Sequence, residues 1–161
     1  MMMPHKITQI ELLVQRLKAL QKTIATAESC TGGFLSKSLT DFSGSSAVYP
    51  GGIISYCNRV KHELLGVDQD LLDRFGPVSE AVARQMAEKV RLVIGADFGV
   101  GITGIAGPNS DESGLPVGLV YLAASDGQRT LVRECHFGGD RNAIRARAAE
   151  AAADLTFELL R

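Results

Sequence analysis

The sequence predicts an α/β fold: a single three-layer α/β/α domain over residues 1–161, its mixed sheet ending in a C-terminal β-hairpin. Three observations carry this. Thr23 to Ala27 and Phe98 to Thr103 are short runs of small and apolar residues, the signature of buried strands. Stretches with helical spacing lie between such runs, which places helices on both faces of a sheet. Asp126-Gly127 stands between two further apolar runs and is a strong hairpin turn, adding antiparallel strands to a parallel sheet. The length suits one domain.

In order along the chain, Ile10, Leu13, Val14, Leu17 and Leu20 recur every three or four residues and predict an amphipathic helix over 7–21. The strand from Thr23 follows. Phe34, Leu35, Ser38 and Leu39 then give a helix ending near Phe42, and Ser43-Gly44-Ser45-Ser46 is a turn cluster. Val48 to Tyr56 reads as a strand interrupted at Pro50 and Gly51, as on a sheet edge or at a bulge. Asn58 caps a short helix that Gly66 ends, and Asp68 caps another that Gly76-Pro77 breaks. Ser79 opens a long helix whose buried face is Val82, Met86, Val90 and Val93, with Gly95 as its stop. After the strand at Phe98 comes a polar loop, Gly104 to Pro116. The hairpin pairs Val117–Ala124 with Thr130–Phe137. Asp140 caps a final helix with Ile144, Ala148, Ala152, Leu155 and Leu159 on one face.

Composition excludes several classes. A net charge of −1 leaves no basic footprint, so no nucleic-acid partner is expected, and the absence of Trp argues against a base-stacking platform. No apolar run is long enough to span a bilayer, so no membrane partner is expected. The start, Met1-Met2-Met3-Pro4-His5-Lys6, has no apolar signal region behind it. Three widely spaced cysteines, Cys30, Cys57 and Cys135, make neither a disulfide framework nor a metal pattern. A reducing cytoplasm is the expected setting.

The most informative stretch is Ala25-Thr26-Ala27-Glu28-Ser29-Cys30-Thr31-Gly32-Gly33. It reads as a strand end, a tight turn and a first helical turn. Such a turn presents a hydroxyl and several unpaired N–H groups at the rim of a sheet. Ser29 is a candidate nucleophile, beside the Cys30 thiol and the Glu28 carboxylate. The same residues also describe an ordinary strand-to-helix turn, capped by Thr31 or Ser29. Cys30 is a rival nucleophile, because a helix N-terminus lowers a thiol pKa, although most free cysteines are simply buried.

A serine needs a base. His5, His62 and His136 are poorly placed, so Lys61 is the better base, with Tyr56 near the same rim. It would have to be neutral when it acts, which burial can bring about. Thr103 and Gly104 end the second buried strand and reach the rim of Ser29 if the two strands are parallel. Gly99 to Gly104 fits G-x-G-x-x-G, but no helix opens within it, so it is read as a strand end allowing close ligand approach. Gly44-Ser45-Ser46 could touch a ligand or be turn chemistry alone. Arg141 and Arg145, four apart on one helix face, could hold a phosphate or be solvated.

Taken together, Ala27 to Gly33, Gly44-Ser45-Ser46, Gly52 through Tyr56 with Asn58 and Lys61, Gly76 to Glu80, Gly104 to Pro108, Pro116-Val117-Gly118 and Gly139-Asp140-Arg141 resemble the CinA C-terminal domain family, over about residues 7–160. Gly76-Pro77 stands where many relatives have Gly-Ala. The resemblance implies a nicotinamide-nucleotide amidase in its stand-alone form, hydrolysing nicotinamide mononucleotide (NMN) to nicotinate mononucleotide and ammonia without metal or other cofactor. It implies Ser29 as nucleophile, Lys61 as base and Tyr56 in the proton network. Backbone N–H groups around Thr31, Gly32 and Gly33, with Thr103, would polarise the amide oxygen. Gly44, Ser45, Ser46, Gly104, Ile105, Ala106, Gly107 and Arg145 would hold the nucleotide, with Glu28 also at the substrate. The rival readings are a non-enzymatic nucleotide- or partner-binding module linked to competence or DNA damage, and an amidase for another amide. Oligomeric state stays open; a homodimer is the expectation if copies pair, and Ala146, Ala149 and Ala153 could serve a neighbour or the core.

Overall fold

The computed structural model describes residues 6–161; His5 lies outside the described residues. In chain order the elements are α1 (Gln9–Leu20), β1 (Ile24–Glu28), α2 (Phe34–Thr40), a 3₁₀ turn at Ser45–Ala47, β2 (Gly51–Ile54), α3 (Asn58–Glu63), α4 (Gln69–Phe75), α5 (Glu80–Ile94), β3 (Phe98–Gly104), β4 (Leu119–Ser125), β5 (Thr130–His136) and α6 (Arg141–Leu159). The five strands form one sheet in the order β2-β1-β3-β4-β5. β1 runs parallel to both β2 and β3, while β3–β4 and β4–β5 are antiparallel. The predicted mixed α/β sheet with its terminal hairpin is therefore the observed one.

The two faces are packed differently. On one, α1, α2 and α6 bury a broad apolar cluster that includes Leu13, Leu17, Ile24, Leu35, Val100, Ile102, Leu122 and Ile144. Ala149 and Ala153 belong to this core, while Ala146 is half-buried. On the other face α5 lies so close to β3 that side chains are excluded. A Cβ at Gly101 would stand 2.6 Å from the Ala83 carbonyl oxygen, and one at Gly99 only 2.0 Å from that of Ala87. Gly99 and Gly101 thus serve helix–sheet packing and not ligand approach; of the glycines in that run, Gly104 alone reaches the pocket described below.

Local chemistry sets the ends of the elements. Thr8, Ser79 and Asp140 each accept an amide of the helix they open, from Glu11, Val82 and Ala143. Several expectations are corrected. The α3 N-cap is Cys57, not Asn58. Asp68 stands at the cap position of α4 but makes no capping bond; its carboxylate accepts from the Gln85 amide at 2.8 Å. Val93 is exposed, and α5 buries Ala83 and Ala87 with Val82, Met86 and Val90. β2 begins only at Gly51. Pro50 has no N–H for a ladder, and Val48 instead accepts the Ile24 amide through its carbonyl, at the start of β1. β2 is an edge strand, as Pro50 suggested.

Candidate active site

β1 lies between β2 and β3, parallel to both, so the connections that follow it go to opposite sides, and a crevice opens beyond the carboxyl ends of these parallel strands, where open α/β sheets take ligands. Pairing continues one residue past each strand. The Ser29 amide donates to Ile102 O at 3.0 Å, and the Ser55 amide donates to Glu28 O at 2.7 Å. These two bonds fix Ser29 and Ser55 side by side. The chain then turns sharply, with Gly32 N donating to Ser29 O and Gly33 at φ 100°, before α2 starts at Phe34. A positive φ of that size is open to glycine and costly for other residues.

Glu28 holds this turn from behind. Fully buried, its carboxylate accepts the amides of Leu35 at 2.9 Å and Ser36 at 3.0 Å, together with the Ser36 hydroxyl. The acceptor at the start of α2 is therefore Glu28, neither Ser29 nor Thr31; it takes the amides of Leu35 and Ser36, and of the amides expected at the rim that of Gly32 is spent on Ser29 O. Glu28 is a structural carboxylate beneath Ser29 and does not line the pocket.

Lys61 comes up from α3. Its Nζ donates to Ser55 O at 2.6 Å and to Ser29 Oγ at 3.0 Å, and the residue is 1% exposed. Burial strips water from the ammonium and lowers its pKa from 10.5 to about 8. Cys30 lies beside them, 6% exposed, and burial pushes its thiol up to about 11. The expected lowering by a helix start is overturned, because desolvation outweighs it; Cys30 is no thiolate at neutral pH.

The pocket over Ser29 has a volume of about 340 Å³. Ser29, Cys30, Tyr56, Lys61, Thr103 and the run Gly104-Ile105-Ala106-Gly107 line it, so these expected residues come together. Thr103 is bound differently from the expectation: its hydroxyl donates to Pro77 O at 2.7 Å, drawing Pro77 and Val78 into the wall. Tyr56, 59% exposed, accepts from Arg141 Nη2 at 3.1 Å, while the hydrogen bonds of Lys61 Nζ go to Ser29 Oγ and Ser55 O. Arg141 also donates from Nη1 to Gly107 O at 2.6 Å, and it is the pocket's guanidinium.

Arg145, expected at the nucleotide, lies one helical turn further on and under the Ser29 turn instead. Its Nη2 donates to Thr31 O at 2.9 Å and sits 3.3 Å from where a Gly32 Cβ would be. Thr31, Gly32 and Gly33 form the back of the turn and not the pocket wall. Gly44, Ser45 and Ser46 are also elsewhere, near Lys18 and leading to Val48 at the amino end of β1. Sequence reasoning did not single out Asn109, Ser110 and Asp111, which close the pocket from the loop after Gly107. Their polarity looked like loop chemistry, and only the fold brings that loop back over Ser29. The two described histidines are outside: His62 bonds Val67 O and His136 bonds Glu134. Among the described residues no cluster of His, Cys, Asp or Glu could hold a metal ion, and no helix is long and apolar enough to cross a membrane.

Comparison with known proteins agrees in one direction. The model of the CinA C-terminal domain matches residues 7–160. A CinA-like protein of Acidobacterium capsulatum is 45% identical over 145 residues, which are 90% of this chain and 35% of that protein. The chain thus spans about a third of the length of the curated relatives it matches. Among solved structures, the competence/damage inducible protein of Agrobacterium tumefaciens superposes with a TM-score of 0.89 at 37% identity, covering 99% of this chain and 100% of that one. A CinA superfamily protein of Klebsiella pneumoniae gives 0.91 at 31% identity, covering 94% and 95%.

Proposed function

Because the chain belongs to the CinA C-terminal domain family, we propose that it is an amidase that hydrolyses the carboxamide of nicotinamide mononucleotide by serine–lysine chemistry. The observation that carries this reading is the contact of 3.0 Å between Lys61 Nζ and Ser29 Oγ, both buried, at the floor of a pocket. A lysine with a pKa of about 8 is neutral in a useful fraction of molecules near neutral pH.

The Ser55 carbonyl takes one N–H of the neutral amine and aims its lone pair at Ser29. As Ser29 Oγ bonds to the carboxamide carbon, Lys61 takes the hydroxyl proton. It then hands that proton to the leaving nitrogen, the C–N bond breaks, and ammonia departs from an ester on Ser29. Water attacks the ester with Lys61 again as base, releasing nicotinate mononucleotide. The Ile105 amide is spent on Leu119 O, whereas those of Ala106 and Gly107, two residues that line the pocket, have no acceptor among the described residues and would serve as donors for substrate oxygens. Arg141 would meet the phosphate, and Asp111 carries a negative charge at the rim suited to the pyridinium ring.

The test is ammonia release from NMN by purified protein. Wild type should turn over, and Ser29→Ala should lose about a thousandfold or more in kcat. NMN binding without ammonia release by folded wild type would sink the amidase reading in favour of a nucleotide-binding module.

A further inference from the structure

At the opposite end of the sheet a second cleft, of about 510 Å³, opens between α5 and the β4–β5 hairpin. Its walls carry three guanidiniums, Arg84, Arg91 and Arg129, against one carboxylate, Glu88. That acid does not neutralise them. Glu88 accepts the Thr130 hydroxyl at 2.8 Å, while Arg84 and Arg91 are each held by a backbone carbonyl, Thr130 O and Ala96 O, both at 3.3 Å. Glu80 stands 3.7 Å from Arg84 in a solvent-exposed pair, the kind that contributes little. The Asp126 carboxylate caps the hairpin by accepting the amides of Gln128 and Arg129. Ser125, 1% exposed, accepts from Gly127 N, and its own proton has no acceptor among the described residues. Gly127, at φ 89°, makes room for the Arg91 guanidinium: a Cβ there would stand 2.2 Å from Arg91 Nη2.

We propose that this cleft is a second ligand site, taking the phosphate groups of a small phosphorylated molecule of up to nucleotide size. Guanidiniums oriented by carbonyls keep their full charge and present forked N–H donors, the geometry that phosphate oxygens match. The volume is within the range of small-molecule sites. The cleft is at the amino end of β3 and the Ser29 pocket at its carboxyl end, so the two ligands do not compete for space.

The probe is inorganic pyrophosphate, titrated into the full chain at about 0.1 M salt, where long-range attraction is screened. Saturable binding is expected, with amide NMR shifts at Gly127, Gln128 and Thr130. Arg84→Gln and Arg129→Gln should each weaken binding read at these three amides about tenfold, Arg84→Lys less, and Ser29→Ala and Arg141→Gln should leave the shifts at Gly127, Gln128 and Thr130 unchanged. Absence of saturable binding would overturn the proposal. So would shifts confined to Gly104–Gly107, or affinity lost in Arg141→Gln and kept in the Arg84→Gln/Arg129→Gln double variant. None of these outcomes depends on NMN turnover, so the two proposals fail separately.

Discussion

The two ends of the sheet both hold cations in clefts and treat them in opposite ways. At the carboxyl end Lys61 is sealed from water and its pKa drops to about 8. At the amino end Arg84, Arg91 and Arg129 sit in a half-open cleft with carbonyls and solvent around them. Lysine can surrender its proton when desolvated; arginine does not. On the two proposals above, the buried lysine serves proton transfer, whereas the guanidiniums, Arg141 at the mouth of the Ser29 pocket among them, serve to hold negative charge. The difference lies in burial and in the choice of side chain, not in the number of charges.

The sharpest way to break that contrast is to exchange the cations. Lys61→Arg puts a permanent charge beside Ser29 and should abolish turnover at every pH. Lys61→Met should lower kcat by about a hundredfold to ten-thousandfold, the usual reach of a general base. Lys61→Met should also raise stability to denaturant at neutral pH by about 1–2 kcal/mol, since relief of desolvation exceeds the hydrogen bond lost at Ser55 O. Loss of activity with loss of stability would mean that Lys61 is chiefly a structural donor.

The pH dependence is the next largest effect. Below about pH 8 Lys61 is protonated and cannot accept the serine proton, so kcat/KM should climb about tenfold per unit and flatten above that value. Folding responds in the same window. The unfolded chain binds more protons than the folded one between about pH 8 and 10.5, so stability should rise across it, and Lys61→Met should remove that slope. A flat rate profile between pH 6 and 9 would leave Lys61 without a role as base.

Much of this was legible in the sequence. Strand and helix periodicity, the caps at Ser79 and Asp140, and the Asp126-Gly127 turn placed the elements, because each depends on neighbours close in the chain. That Ser29 and Lys61 reach the same rim was also legible, and the two side chains meet there. What was not legible depends on approach distance. Gly99 and Gly101 resembled a ligand motif, but α5 packs against them, and no local pattern reports where a later helix will lie. Glu28 beside a serine suggested substrate chemistry, until the start of α2 claimed both its oxygens.

Arg141 and Arg145 offer the finest version of the same comparison. They are one helical turn apart, and residue type and spacing cannot rank them. The fold does: Arg141 reaches Gly107 O and Tyr56 at the pocket, and Arg145 reaches Thr31 O beneath the Ser29 turn. Arg141→Gln should raise KM for NMN about tenfold with kcat little changed, as a lost phosphate contact does, while a dephosphorylated substrate should notice no difference. Arg145→Gln should instead cost about 1–2 kcal/mol of stability and lower kcat more than it raises KM, because it loosens the turn that aims Ser29 Oγ. Steady-state kinetics with a melting curve on each variant separates the two roles. If both variants gave the same rise in KM, both guanidiniums would have to reach the substrate, and Arg145 would have to leave Thr31 when the pocket is filled.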